Sequence, residues 1–304
     1  MVSRQARKAA VLTLALLLAA GSTIAVWAQR TSGSEAGELV GRPEMSRAWP
    51  PPEVDEDSLP VAADVQCSLP DVLQAVSNHV KELIANLREF DATERLEHQE
   101  LERNGRWGKP EARTYKYQVD LYEGPGGLVM DEFRSSNRPT QGHPAELQDR
   151  GLPALALVFH QEFLDAYAMK CEGLAQWNGQ AAWQVRFEQR PDRTSRLRAY
   201  VVGHSVFPVH LKGRAWISAD KHQVLRLETD LLTVLPQIRL FREHIAVEYQ
   251  AVRFEKRNVE LWLPGSAEIY MDFRGHRYRR RHTFSDFLLF SVDVHEQVTA
   301  PKQH

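Results

Sequence analysis

The stretch Val209-His-Leu-Lys-Gly-Arg-Ala-Trp-Ile-Ser218, followed by Leu225-Arg-Leu-Glu-Thr-Asp-Leu231, decides the fold class. Val209, Leu211, Gly213, Ala215 and Ile217 alternate with His210, Lys212, Arg214, Trp216 and Ser218, and Leu225, Leu227, Thr229 and Leu231 alternate with Arg226, Glu228 and Asp230. Successive side chains of a strand point to opposite faces, so each run predicts a strand with one buried face and one wet face. The residues from Ser218 to His222 supply the turn between them. Trp216 falls on the wet phase. A ring of that size must be covered by a helix, a lid or a ligand.

Outward from this hairpin the pattern repeats. Upstream, Trp183, Val185 and Phe187 alternate with Gln184, Arg186 and Glu188, and a turn follows at Arg190-Pro-Asp-Arg193. Downstream, strands are expected over residues 244–254, 258–263, 266–273 and 277–284, the last two separated by Gly275. Nearer the N-terminus, residues 92–103 and 113–122 read as strands with Asn104-Gly105 between them. A strand over 128–133 follows the turn at Gly124-Pro-Gly-Gly127. Ser68, Pro70 and Asp71 form a helix start, because the hydroxyl accepts an orphan N–H, proline loses no helical bond there and the acid favours the positive helix end. Val72, Leu73, Val76, Val80, Leu83, Ile84 and Leu87 then give one apolar stripe, and a helix is expected near 69–89. A second helix is expected near 155–171, from Leu157, Phe159, Phe163, Leu164, Tyr167 and Ala168, after a polar loop over 137–151. Consecutive hairpins leave no room for the helix alternation of a parallel sheet. The fold class is mainly β (α+β): a large curved antiparallel sheet, or unclosed half barrel, with one or two helices packed on it.

The N-terminus sets the compartment. Arg4, Arg7 and Lys8 precede an apolar run over 9–20, too short to span a bilayer comfortably, and Val26 and Ala28 fit the small-residue pattern of a cleavage site. Residues 1–28 read as a signal peptide. An uncleaved anchor is the alternative, since the apolar character extends through Ile24 to Trp27. Loss of those three basic residues takes the formal net charge from −2 to about −5, which gives no support to a nucleic-acid partner. Residues 29–66 contain Pro43, Pro50, Pro51, Pro52 and Pro60 among many acids, so a disordered linker is expected there. A single antiparallel-sheet domain follows over 67–295, with a flexible tail over 296–304. Cys67 and Cys171 enter an oxidising compartment, where they are expected to pair; the alternative is two separately buried thiols.

The order of early helix, long strands, helical interruption and hairpins resembles the periplasmic lipoprotein-carrier (LolA/LolB-like) half-barrel group. Gly213-Arg-Ala-Trp-Ile-Ser-Ala-Asp220, running into His222-Gln-Val-Leu-Arg-Leu-Glu-Thr229, is similar to that group's central hairpin, and residues 272–284 to its late hairpin. The resemblance covers residues 67–293 and implies a bent sheet around a greasy concavity with helices as a lid. The linker and the segment between Phe133 and Gln180 depart from it. The chain is also similar to a set of secreted proteins from soil bacteria, a likeness without functional content.

Chemistry is sparse. His276, Arg277, Arg279, Arg280, Arg281 and His282 lie on one strand, where Arg277, Arg279 and Arg281 share a face. These three are candidates for holding an anion such as a lipid headgroup, or for pairing with Glu268, Asp272, Glu243 and Glu248 on adjacent strands. His244 and Glu248 share a strand face about 13 Å apart, too far for one ion, and no compact metal signature occurs. Ser205, Ser218 and Ser285 lack a nucleophile motif. No cofactor is implied, and an enzyme is unsupported. Trp183, Trp216, Trp262, Phe254 and Phe273 are the candidate lining of a ligand cavity, with an ordinary filled core as the alternative. The expected function is an exported binding or carrier protein of the periplasm or outer envelope, with a lipid or other hydrophobic small molecule as guest and an envelope protein as a possible partner. Its rivals are a structural or interaction module and an envelope-polymer hydrolase.

Overall fold

Hairpins dominate the molecule, as the alternation demands. The computed structural model describes Trp49 and residues 51–56, 58–86, 89–124, 127–136, 148–150, 155–193 and 197–290. The expected leader, most of the linker and the tail lie outside these residues. Helix α1 (Leu69–Asn86) begins where the Val72 N–H donates to the Ser68 carbonyl at 3.1 Å. It is followed by β1 (Glu89–Glu100), β2 (Glu111–Gly124) and β3 (Gly127–Ser135), then β4 (Gln148–Arg150). Next come β5 (Tyr167–Trp177), β6 (Gln180–Gln189), β7 (Ala199–Val202), β8 (Ser205–Pro208), β9 (Leu211–Ser218) and β10 (Val224–Leu231). The last three strands are β11 (Leu240–Phe254), β12 (Val259–Phe273) and β13 (His276–Phe290).

Among the described residues, ten strands form one antiparallel sheet in the order β3-β2-β1-β13-β12-β11-β10-β9-β6-β5, curved but not closed into a barrel. The remaining three form a small sheet, β4-β7-β8. Val72, Val76 and Val80 of α1 join Val185, Ala215, Ile217, Leu227, Ile245, Val247, Leu263 and Ile269 in the main apolar cluster, which defines the inner face of the large sheet. Leu155, Leu157, Phe159 and Tyr200 fill the same space. The small sheet is fastened to this face by a buried ion pair, Arg198 to Glu243 of β11, with the Arg198 Nη2 also donating to the Tyr200 hydroxyl at 2.8 Å. Gly213 is required by packing: a Cβ there would meet the Phe187 ring at 2.1 Å and the Glu228 carbonyl oxygen at 2.5 Å.

Four expectations are corrected. The helix expected near 155–171 is instead two short 3₁₀ turns, Leu155–Phe159 and Leu164–Ala166, running into β5. All five residues of the first turn are buried, so no polar face exists to make a helix amphipathic. From Tyr167 onward the chain is committed to a hairpin by Asn178 and Gly179, whose positive φ values of 48° and 80° suit the tight turn between β5 and β6. The strands expected over 258–263 and 266–273 are one strand, β12, with a bulge at Pro264 and Gly265, where a missing ladder donor is tolerated. A second bulge between Val224 and Arg226 turns Leu225 away from the inner face, so it packs with Trp216 rather than with Leu227.

The fourth correction concerns the linker. Val54 and Leu59 of this segment lie against the outer face of the sheet, opposite α1, and Val61 and Ala62 reach its edge strand. Val54 is wholly buried there, and Val61 bridges to Ala175 of the edge strand β5. Enough apolar and charged partners wait on that face to offset the ordering of a proline-rich segment.

Candidate binding site

Cys67 and Cys171 are joined by a disulfide, with Cα atoms 6.3 Å apart, so the residue preceding the α1 cap is fixed to β5. Cys67 precedes α1 as expected, whereas Cys171 lies on a strand rather than at the end of a second helix. The pair closes a loop of 104 residues, for which the chain-entropy model gives about 4–5 kcal/mol.

Beneath α1, between helix and sheet, lie two adjoining cavities. One, of about 50 Å³, is bounded by Val76, Val80, Leu83, Gln223, Leu261 and Trp262. The other, of about 30 Å³, is bounded by Leu83, Phe90, Val119, Leu121, Met130 and Pro264. Leu83, Ala156, Tyr249 and Trp262 are common to both. A single water occupies about 30 Å³ of liquid, whereas a drug-sized guest needs roughly 300 Å³ or more. The groove is therefore nearly filled by the protein's own side chains. The Tyr249 hydroxyl accepts the Ala156 N–H at 3.1 Å, and burial pushes its pKa up. A third cleft, of about 290 Å³, is lined by Glu162, Asp165, Gln189 and Arg193 together with Phe163, Ala166, Tyr167 and Leu197, with Arg193 paired to Asp165 at 3.5 Å.

A charged cluster occupies the inner face where β1, β2, β3 and β13 meet. Glu94 accepts from Arg134 Nε at 2.7 Å and Nη2 at 3.1 Å, and pairs with His282 Nδ1 at 2.7 Å. Burial alone would raise the Glu94 carboxyl, but Arg134 and His282 outweigh it and hold the pKa at about 2. Burial likewise holds His282 below its ordinary value, against the opposing pull of Glu94. The Arg134 guanidinium lies 4.9 Å from the Tyr117 ring centroid. Nothing local in the sequence marks residues 94, 134 and 282 as neighbours.

The aromatic candidates do not converge. Trp262 lines both cavities. Trp183 and Phe254 are half-buried against the main cluster, and Phe273 is buried in it. Trp216 lies on the outer face, 1% exposed, in a small cluster with Ala175, Ala182, Leu225, Leu59, Trp177 and Trp262, so of the five candidates only Trp216 and Trp262 share this cluster. Its indole N–H donates to Gln184 Oε1 at 3.0 Å, and its ring centroid is 5.1 Å from that of Trp177. Of the candidate anion ligands, Arg277 pairs with Asp272 at 3.0 Å and Arg281 with Glu268 at 2.5 Å. Arg279 donates to Gln99 at 2.8 Å and lies 4.6 Å from the Trp107 ring centroid. Among the described residues, no group of three or more His, Cys, Asp or Glu side chains is placed to hold a metal ion, and no helix is long and apolar enough to cross a membrane.

No family model matches the chain, and no curated protein matches it. Among solved structures it is similar to a DUF1329 family protein from Desulfovibrio piger, at 11% identity and a TM-score of 0.40, covering 76% of this chain and 95% of that one. It is similar also to a protein described as an outer membrane lipoprotein-sorting domain from Vibrio parahaemolyticus, at 10% identity and a TM-score of 0.40, over 73% and 94% of the two chains. A LolA superfamily protein from Nitrosomonas europaea gives 9% identity and a TM-score of 0.38, over 72% and 94%. At such identities the functional reading has to come from this chain's own residues.

Proposed function

We propose that this is an exported binding protein that holds a hydrophobic guest, without covalent chemistry or a cofactor, in the groove between α1 and the inner face of the sheet. The observation that carries the reading is the pair of adjoining cavities under an amphipathic helix on an open sheet, one lined by apolar side chains and the other also by His79, Glu82, Gln223 and Glu260. A helix packed by side chains alone is cheaper to displace than a strand bonded into the sheet, and the disulfide keeps its N-terminal end anchored while it moves. The signal-like N-terminus and the Cys67–Cys171 bridge support a compartment outside the cytoplasm.

Solvent extraction of the purified protein followed by mass spectrometry should recover a lipid or lipid-like molecule, and an environment-sensitive fatty-acid probe should bind and be displaced by that extract. Leu83→Trp, which fills the space shared by both cavities, should weaken the probe at least about tenfold, a loss of about 1.4 kcal/mol. Equal probe affinity in wild type and a folded Leu83→Trp variant, with nothing recovered by extraction, would overturn the reading.

A further inference from the structure

The outer face of the sheet is built to hold a peptide. Asp230 Oδ2 accepts the Val54 N–H at 2.8 Å, Arg214 donates to the Val54 carbonyl, and Gln184 Oε1 accepts the Leu59 N–H at 3.0 Å. Asp230, Arg214 and Gln184 are themselves buried, at 7%, 2% and 1% exposure. Two are held in place from below: Glu172 accepts from Arg214 Nε at 2.7 Å and from Gln184 Nε2 at 2.8 Å. These contacts reach only main-chain atoms of the segment, so they fix an extended backbone without regard to its side chains. Selection comes from elsewhere. Asp55 pairs with Lys212 at 2.5 Å and Arg186 at 2.8 Å, and Glu53 pairs with Arg242. Val54 is enclosed between these acids, and Leu59 packs on the Trp177–Trp216 cluster.

The far end of the segment extends the sheet. Val61 bridges to Ala175, and the Ala62 N–H donates to the Leu174 carbonyl at 2.8 Å. The edge strand makes room by lacking a side chain at Gly173, where a Cβ would meet Val61 at 2.9 Å. Main-chain bonding to a strand edge combined with pockets for a few side chains is a general mode of peptide recognition.

We infer that this channel is a recognition site for an extended acidic peptide of another envelope protein, with an aliphatic residue between two acids and a second aliphatic residue on the tryptophan pair, and that residues 53–56 and 58–62 of this chain occupy it in the partner's absence. The site is centred on the face opposite the α1 groove, although Trp262 both lines that groove and packs against the Trp216 cluster. The segment in cis competes at the millimolar effective concentration typical of a short tether, so an outside peptide gains access when it binds better or when the segment is disengaged.

The probe is a fluorescein-labelled synthetic peptide of residues 49–64, titrated against the full mature chain. The triple variant Glu53→Lys/Val54→Asp/Asp55→Lys, which disengages the segment in cis, should bind it at least about tenfold more tightly than wild type, and high salt should weaken the binding. Should that variant not fold, the milder Glu53→Gln/Asp55→Asn variant, which loosens the segment without touching Val54, should be labelled on the peptides containing Trp177 or Trp216 by a peptide carrying a photo-crosslinker in place of Leu59, and more strongly than wild type. A folded variant that ignores the peptide, equal binding of a scrambled peptide, or no crosslink above background would overturn the inference. So would a wild-type dimer that exchanges the segment between copies and is not dissociated by the peptide, which would make a second copy the occupant.

Discussion

The two faces of the large sheet are held by different forces. The inner face is closed by area: α1, the Leu155–Phe159 turn and the small β4-β7-β8 sheet bring valines, leucines and aromatics into one continuous apolar cluster. The outer face has a small apolar centre, Trp216 with Leu225, Ala175 and Ala182, surrounded by Arg186, Lys212, Arg214, Arg226, Asp230 and Glu248. A helix suffices for the first. The second is covered by a segment that brings its own acids and main-chain groups. Non-directional burial permits sliding and repacking, whereas charge and hydrogen bonding fix register. The inner face is accordingly suited to an adaptable guest, and the outer face to a defined sequence.

The sharpest way to break this comparison is Trp216→Ala. If the apolar centre anchors the outer face, its loss should cost about 4 kcal/mol in urea unfolding and release the Val54 and Leu59 amides to hydrogen exchange. A loss below about 1 kcal/mol would mean that charge alone holds the segment.

Acid should act mainly on the inner face. The folded pKa of Glu94 is lowered from 4.5 to about 2, so its contribution is fully present above pH 4.5 and is lost as the pH falls towards 2; the shift corresponds to about 3 kcal/mol. His282, buried and held below 6.5, adds stability that is present above that value and is lost as the pH falls through its lowered folded pKa. Urea midpoints measured from neutral pH to about pH 3 should therefore fall progressively, and Glu94→Gln should flatten the lower part of the curve while lowering stability at neutral pH. A wild-type curve that is flat across this range would remove the buried cluster from the account.

The smallest effect is expected at the rim of the outer channel. Asp55 is about half exposed, and its pairing with Lys212 holds its pKa down. Glu53→Gln/Asp55→Asn should cost less than about 1 kcal/mol in global stability. It should nevertheless speed exchange of the Val54 amide, and raising the salt concentration in the wild type should mimic that effect. Unchanged exchange in both cases would show that the acids play no part in register.

Most of the sheet was legible because period-two alternation is a local signal. Strands β6 and β9 follow it closely, as does α1 from its cap and stripe. The failures have specific causes. Asn178-Gly179 is a strong turn signal that competes with the helical spacing of the apolar run before it, and the turn prevails, so residues 167–177 form β5 and Cys171 lies on a strand. Bulges at residues 224–226 and 264–265 break parity without a local mark that alternation can detect. Trp216 was rightly singled out as needing cover. Its cover was illegible, because Leu59 approaches from more than a hundred residues away out of a segment whose composition reads as disordered. The Glu94–Arg134–His282 cluster is a product of register between β1, β2, β3 and β13.

The pairing of β1 with β13 sets an order of assembly. The strand that opens the sheet and the strand that ends it lie side by side, Leu96 opposite His282, with nearly the whole described chain between them. In a chain delivered N-terminus first, whether from a ribosome or through a membrane, β1 has only β2 to pair with until β13 arrives. The β3-β2-β1 ribbon therefore stays detached from the rest of the sheet until the last strand has been delivered. Such distant pairing is entropically late and slow, which leaves the chain threadable for as long as its own end is still in transit.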